Sequence, residues 1–153
     1  MALRPRRIVV GVDGSPHSRR AVAVVARLAP ARGGAVTCVR VIEPARLPSM
    51  PLVPAAFRTR IASGAAALER SRRAVAQRQV DAAAAALRRA GWRARGVVRV
   101  GVPLPELLAA VRAARADLLV VGTRGAGALR HFLLGSVADG ALKRAPVSVL
   151  VAR

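Results

Sequence analysis

Aromatic side chains are scarce in this sequence: Phe57, Trp92 and Phe132 are the whole complement among 153 residues. Since 54% of the residues are nevertheless hydrophobic, the core has to be built from valine, leucine, isoleucine and alanine. The buried strands of α/β sheets use that set of side chains. The shortage also leaves no row of rings on which the bases of single-stranded nucleic acid could stack.

Thiols and imidazoles are equally rare. Cys38 is the single cysteine, so no internal disulfide can form, and its place in a hydrophobic run predicts a buried side chain, not a reactive thiol. His17 and His131 lie far apart in the sequence and are expected to be surface or packing residues. With this set of side chains we predict no metal-binding cluster.

No hydrophobic run approaches the roughly 20 residues that a membrane-spanning helix needs. The apolar runs, such as "LLVVG" and "VSVLVA", are short. The basic start "MALRPRR" leads into a strand-like run and a Gly/Asp turn, without a signal-peptide cleavage site. We therefore expect a cytoplasmic protein that is not inserted in a membrane.

Acidic residues are few: there are 7 against 27 lysines and arginines, which gives a formal net charge of +20. Such a balance ordinarily suggests nucleic acid or another polyanion as a partner. The distribution weakens that inference, because the arginines are spread over nearly every predicted element and only Lys143 is a lysine. A bias in coding composition explains the pattern equally well. Polyanion binding is retained as an alternative hypothesis.

Strands and helices alternate in the predicted secondary structure. The hydrophobic runs predict strands that end near 12 or lie over 35–42, 92–100, 117–122 and 147–152. Helices are expected between them: after the cap Ser15 and Pro16, over about 57–90, from Pro103 or Pro105, and over 136–144. This alternation is typical of a parallel sheet covered by helices on both faces.

The connection after the second strand is rich in proline and is expected to be a loop over about 43–56, the most mobile part of the chain. The helix that follows carries apolar residues at intervals of seven. We expect them to form its apolar side together with Leu87: Ile61, Leu68 and Val75.

Glycine-rich turns follow two of the strands, "GVDGS" after the first and "GTRGAG" after the fourth. If these strands are neighbours, a ligand would bind between their carboxyl ends, where the winding of the sheet reverses. Gly122 and Gly125 can bring backbone N–H groups close to a ligand, while Gly135 and Ser136 stand at the start of the last helix. A helix start attracts anions through its unpaired N–H groups. Ser136 either caps that helix or turns its hydroxyl to a phosphate.

Better known phosphate-binding motifs do not fit. No glycine is followed by lysine and then serine or threonine, which excludes a Walker-type loop. The segment "GAGALR" begins like a dinucleotide fingerprint but ends on Arg130 and does not follow the first strand. A receiver domain would need clustered carboxylates at its strand ends, whereas Asp13 stands alone.

Segments from the start, the end and the glycine-rich part of the chain fit one pattern. "GTRGAGALRHFLLGS" matches G-x2-G-x9-G-[ST], "VVGVDGS" provides the first strand and its turn, and "APVSVLVAR" provides the last strand. Together they resemble the universal stress protein family, in its ATP-binding branch. The resemblance implies one α/β domain over 1–153, an open five-stranded parallel sheet in the order 3-2-1-4-5 with helices on both faces, and a likeness to adenine-nucleotide α-hydrolases.

The resemblance also implies which residues hold ATP. Asp13 would lie beside the adenosine with Val12 next to it, and Val41 would line the adenine pocket. The ribose and phosphates would be held by the glycine motif and its neighbours: Gly122, Gly125, Gly127, Gly135, Ser136 and the backbone of Val137. Arg124 could pair with a phosphate through its guanidinium fork. Ordinary alternatives are an Asx turn for Asp13, a core position for Val41 and solvated surface for Arg124.

Efficient hydrolysis of ATP needs a positioned water, charge neutralisation at the γ-phosphate and usually Mg²⁺. The sequence offers phosphate donors but no evident base, so we expect no catalytic residue, slow or no turnover, and any Mg²⁺ held mainly by the phosphates. The resemblance implies a regulatory ATP sensor of the stress response that acts through an unidentified protein partner. It also implies a homodimer paired through the last strand, Val147 to Val151. The alternatives are a weak ATPase and a polyanion or nucleic-acid binder on the same fold.

Overall fold

A parallel sheet runs through the computed structural model, which describes residues 5–44, 53–124 and 134–153. The elements in this part of the chain are β1 (Arg7–Gly11), α1 (Pro16–Arg27), β2 (Ala35–Ile42), α2 (Ala55–Arg89), β3 (Arg93–Val100), α3 (Pro103–Ala114), β4 (Leu118–Gly122), α4 (Ser136–Arg144) and β5 (Ser148–Ala152). All five strands pair in parallel in the order β3-β2-β1-β4-β5, so the predicted α/β fold and strand order are confirmed. Residues 45–52 of the predicted loop lie outside the described residues.

Two layers of helices bury the sheet. Because side chains alternate along a strand, Val10 faces the layer of α1 and α2, whereas its neighbour Val9 faces the layer of α3 and α4. Aliphatic side chains dominate both layers, as the composition predicts. Trp92 is buried in the first layer and donates from Nε1 to the carbonyl oxygen of Val25 at 3.2 Å. Cys38 is fully buried there too, and burial raises the pKa of its thiol to about 12.

Proline marks the starts of two helices. Pro16 is the first residue of α1, and the Oγ of Ser15 accepts a hydrogen bond from the N–H of Ser18 at 3.1 Å, so the predicted cap is confirmed. Pro103 opens α3, which decides between the two predicted starts. Both starts use proline where a backbone N–H would have no helical partner.

Helix α2 differs most from its prediction. Its first buried residue is Ala76, and the side chains at intervals of seven are exposed, by 39% at Ile61, 59% at Leu68 and 41% at Val75. Their assignment to one apolar side with Leu87 was therefore wrong. Twelve residues separate Val75 from Leu87, which at about 100° per residue turns Leu87 about 120° away around the helix. In the described residues no helix is long and apolar enough to cross a membrane.

The winding of the chain reverses at the centre of the sheet. β1 lies between β2 and β4, so the carboxyl ends of β1 and β4 are adjacent, as the predicted ligand position requires. β3 and β5 form the two edges of the sheet. Every glycine-rich turn of the predicted site thus follows a central strand.

Candidate functional site

A cavity of about 990 Å³ opens at the carboxyl ends of β1, β2 and β4. This volume is at the upper end of the range for small-molecule sites. The predicted site residues in the described part of the chain all line it: Val12, Asp13, Val41, Gly122, Arg124, Gly135, Ser136 and Val137. Gly125 and Gly127 lie outside the described residues. The fold therefore brings together residues from three distant stretches of the sequence.

The turn after β1 forms the first wall of the cavity. Asp13 accepts a hydrogen bond from the N–H of Ser15 through Oδ1 at 2.9 Å, which is the Asx turn that was its alternative role. Asp13 also lines the cavity, so the two roles are compatible. Next to it, Val12 is buried and donates its N–H to the carbonyl oxygen of Val39 at 2.8 Å. That bond carries the sheet one residue past the end of β1.

The end of β2 offers backbone groups to the cavity. β1 ends at Gly11 but β2 continues to Ile42. Val39 faces β1 with its N–H and C=O, and alternate residues of a parallel strand face the same neighbour. The N–H and C=O of Val41 therefore point into the gap beyond β1, where no described residue pairs with them. The side chain of Val41 packs on the layer of α3, so its core role is also real.

Gly122 ends β4 directly against the start of α1. A Cβ at this position would lie 2.7 Å from the carbonyl carbon of His17 and 2.9 Å from its carbonyl oxygen. These distances exclude any side chain unless α1 moves. The close approach of α1 gives Gly122 a steric reason to be glycine, in addition to its place on the cavity wall.

Thr123 ties three elements together, although the sequence did not single it out. Its N–H donates to the carbonyl oxygen of Ala152 at 2.9 Å, and its own carbonyl oxygen accepts from the N–H of Gly135 at 2.7 Å. Its Oγ1 is 3.0 Å from Nδ1 of His17. The end of β4 is thereby joined to β5, α1 and α4. Its position between Gly122 and Arg124 was the one feature of the sequence that could have indicated a role for Thr123 at the site.

The start of α4 lacks a side-chain cap. Gly135 is the N-cap residue, with φ −73° and ψ 157°, and it has no side chain to offer. The first intrahelical bond runs from the N–H of Asp139 to the carbonyl oxygen of Gly135 at 2.9 Å. The N–H groups of Ser136, Val137 and Ala138 precede it and have no helical partner. Ser136 is the exposed first residue of α4 and does not cap it, which decides against the capping role left open by the sequence.

Proteins of similar sequence identify the family. The model of the Universal stress protein family matches residues 5–153. This chain belongs to the universal stress protein family. A relative from Thermus aquaticus, "Universal stress protein in QAH/OAS sulfhydrylase 3'region", is 33% identical over 151 residues, which cover 97% of this chain and 98% of that protein. Universal stress protein Rv2005c of Mycobacterium tuberculosis is 31% identical over 157 residues, and the chain spans 45% of that longer protein.

Solved structures share the fold at lower identity. Hypothetical protein MJ0577 superimposes with a TM-score of 0.81 at 19% identity, covering 98% of this chain and 96% of that one. A universal stress protein in complex with cAMP gives 0.65 at 24% identity, covering 99% and 98%. A family member from Arabidopsis thaliana with AMP bound gives 0.60 at 17% identity, covering 97% and 91%. At such identities the likeness establishes the universal stress protein fold alone.

The cavity is balanced in charge, unlike the chain as a whole. Guanidinium and carboxylate groups are equally numerous among the described lining residues: Arg40, Arg72 and Arg124 against Asp13, Glu43 and Asp139. Within the described residues, the excess of arginine in this universal stress protein therefore lies outside the cavity. Such a balance suits a small ligand of defined shape better than an extended polyanion.

Arg40 and Arg72 are cavity residues that the sequence did not reveal. Nε of Arg40 is buried without a hydrogen-bond partner in the described part of the chain. Arg72 comes from α2 and pairs with Glu69 at 3.4 Å. Only tertiary packing brings α2 to this cavity, so no local motif could have indicated Arg72. Within the same described residues, no group of three or more His, Cys, Asp and Glu could hold a metal ion.

Proposed function

We propose that this universal stress protein binds ATP in the cavity and acts as a regulatory nucleotide sensor. The observation that carries the proposal is the uncapped start of α4, where Ser136, Val137 and Ala138 present N–H groups without helical partners. Phosphate groups bind such helix starts through these donors and through the positive end of the helix dipole. The Ser136 hydroxyl, which takes no part in capping, would bind the same phosphates.

The backbone of Val41 supports adenine as the base. Its N–H can donate to the ring nitrogen N1 of adenine, and its C=O can accept from the 6-amino group. Guanine presents the reverse pattern, a donor at N1 and an acceptor at O6, and would set like groups against each other. Structural relatives in complex with cAMP and AMP hold adenine nucleotides, which is consistent with this choice of base.

The remaining predicted residues are assigned to the adenosine, the ribose and the phosphates of the nucleotide. We assign Asp13, with Val12 beside it, to the adenosine, because a carboxylate at a strand end can accept from ribose hydroxyls. Arg124 would pair with phosphate oxygens through its guanidinium fork. Gly122, Gly125, Gly127 and Gly135 stay assigned to the ribose and phosphates.

Slow or no hydrolysis is part of the proposal. Two of the three described carboxylates of the cavity already have partners, Glu43 being the third: Asp13 accepts from Ser15, and Asp139 pairs with Lys143 at 2.8 Å. A carboxylate held in this way is poorly placed to orient an attacking water. Mg²⁺ would enter with the nucleotide and be held mainly by the phosphate oxygens.

We further propose a homodimer through β5 and an unidentified regulatory protein partner. The two sheet edges differ in chemistry: β3 carries Arg93, Arg95 and Arg99, whereas β5 reads "SVLVA" and has no charged residue. Charged side chains discourage edge pairing, so β5 is the edge suited to a second copy. Light scattering should then give about twice the 15.9 kDa of one chain, and a clean monomer would contradict this part of the proposal.

Calorimetric titration tests the ATP site. Wild-type protein is titrated with ATP, AMP and GTP at several salt concentrations. We expect ATP to bind at least about tenfold more tightly than GTP, and this ratio to persist as salt rises, because base recognition by Val41 is not ionic. AMP should bind more weakly than ATP, since it lacks the β- and γ-phosphates. Equal binding of ATP and GTP that weakens steeply with salt would instead establish the polyanion alternative.

A further inference from the structure

Helix α2 extends well beyond the part that the core holds. Residues 55–75 include no buried residue, and at 1.5 Å per residue they span about 30 Å. Four apolar side chains along this segment, the outer stripe of α2, are exposed: Phe57 by 60%, Ile61 by 39%, Leu68 by 59% and Val75 by 41%. Large hydrophobic residues exposed in a row usually mark an interaction surface.

The outer stripe occupies one line along the helix and faces open space. At about 100° per residue its four members fall within roughly 40° of arc, while the core-facing Val80 lies about 140° around the helix from Val75. A Cβ added at Gly64, on the same side as the stripe, would meet no atom within 4 Å. The stripe therefore points away from the sheet that α2 covers.

Arginines border the outer stripe on both sides. Relative to Phe57, Arg60 and Arg78 lie about 60° to one side, and Arg58 lies about 100° to the other. Arg72 also lies on the side of Arg58, but it lines the cavity and pairs with Glu69. Long arginine side chains in this position can keep their stems on apolar surface while the guanidinium groups reach polar surroundings. The outer part of α2 is therefore a basic amphipathic helix.

The positive charge of this segment is largely uncompensated. Glu69 is the only acidic residue over 55–80, and Arg72 and Arg73 hold it at 3.4 and 3.7 Å. No carboxylate in the described residues pairs with Arg58, Arg60 or Arg78. An anionic partner would meet these groups without breaking an ion pair of the protein.

We propose that the outer stripe of α2 docks on an anionic lipid surface. The helix lies flat, with the apolar side chains toward the acyl chains and the bordering arginines among the lipid phosphates, as basic amphipathic helices do. A nucleic acid offers phosphates but no apolar layer for Phe57 and Leu68. A second copy of this chain offers an apolar stripe, but it would set arginine rows against each other, and like charges repel.

Vesicle flotation tests the lipid surface directly. The wild-type protein is mixed with vesicles of phosphatidylcholine alone or of an equal mixture of phosphatidylcholine and phosphatidylglycerol. We expect it to float with the mixed vesicles only. The double variant Phe57→Ser/Leu68→Ser should lower the partition coefficient by at least about tenfold, because two anchoring side chains are lost. Its matched control is Val102→Ser/Leu142→Ser, which removes side chains exposed by 64% and 54% elsewhere, and which should bind as wild type does.

A second pair of variants separates the stripe's arginines from the overall charge. Arg60→Gln/Arg78→Gln should reduce flotation, whereas Arg32→Gln/Arg112→Gln, with the same change of net charge, should not. No flotation of wild type, or equal losses in both arginine pairs, would overturn the proposal. So would undiminished flotation of the serine variant of the stripe. If that variant instead abolishes a salt-resistant self-association seen by light scattering without lipid, the occupant is a second copy of the chain.

Discussion

The first and last helices, α1 and α4, both begin near the carboxyl ends of the strands, but their first turns are built in opposite ways. At α1, Ser15 caps the helix through Oγ and Pro16 has no N–H that needs a partner. At α4 the N-cap is Gly135, and no described side chain caps the helix. The start of α1 pairs the N–H of Ser18 with its own cap and has no N–H at Pro16, whereas the start of α4 has no side-chain cap for any of its donors. The proposed phosphate site follows from this difference, because a helix start that its own sequence does not cap keeps donors for an anion.

The two helix starts are nevertheless connected through the end of β4. Gly122 lets β4 approach the backbone of His17 in α1, and Thr123 contacts His17 with its side chain and Gly135 with its carbonyl oxygen. The open start of α4 is thus held in place by the closed start of α1. Substitutions at these positions can separate the structural role of the α1 start from the proposed binding role of the α4 start.

The largest effect is expected for Gly122→Val. Its Cβ would lie under 3.0 Å from backbone atoms of His17, so α1 must move away from β4. In urea denaturation we expect the free energy of unfolding to fall by about 3 kcal/mol, the upper end of the usual range for overpacked core positions. Gly64→Ala is the control: with open space around it, it should raise stability by about 0.5–1 kcal/mol. If Gly122→Val unfolded at the same urea concentration as the wild type, the close approach of β4 to α1 would be refuted.

Gly135→Asp should give α4 a side-chain cap and so remove the difference between the starts of α1 and α4. The carboxylate would accept from the N–H groups of the first turn and repel phosphate, so the affinity for ATP should fall by at least about tenfold in calorimetry. Stability should change by only a few tenths of a kcal/mol. Gly135→Asn caps without charge and should lose less affinity. Wild-type affinity in the aspartate variant would remove α4 from the phosphate site.

Ser15→Ala should lower the stability of the fold without changing the affinity for ATP. The substitution removes the Oγ acceptor for the N–H of Ser18, and we expect a loss of about 1 kcal/mol in the free energy of unfolding. The affinity for ATP should stay at the wild-type value, since the N–H of Ser18 is used by the cap in the wild-type protein and takes no part in the proposed phosphate site. A large loss of affinity in a folded Ser15→Ala protein would place the phosphates at α1 instead.

Ser136→Ala should weaken ATP binding without lowering stability, the opposite of Ser15→Ala, and its effects should be the smallest of the four. Because Ser136 is exposed and caps nothing, the free energy of unfolding should be unchanged within about 0.5 kcal/mol. Loss of one hydroxyl contact to phosphate should weaken ATP binding by about three- to tenfold. A stability loss equal to that of Ser15→Ala, with unchanged affinity, would return Ser136 to a structural role.

Local signals in the sequence predicted the framework well. Short apolar runs and their glycine turns indicated the strands, and Ser15 with Pro16 indicated the capped start of α1. Features that depend on tertiary packing were missed. The seven-residue spacing in α2 did not reveal that this segment extends past the core, and Arg72 reaches the cavity from a helix distant in sequence. The role of Ser136 could not be decided without knowing that the helix begins one residue after Gly135.

Amide chemical shifts during an ATP titration show directly whether the nucleotide binds at the start of α4. On ¹⁵N-labelled protein, we expect the largest changes at the N–H groups of Ser136, Val137 and Val41. The N–H groups of His17 and Ser18, in the capped first turn of α1, should change little, and GTP should leave Val41 unperturbed. Changes centred on α1, or spread evenly over the arginine-rich surface, would contradict a nucleotide site at the open start of α4.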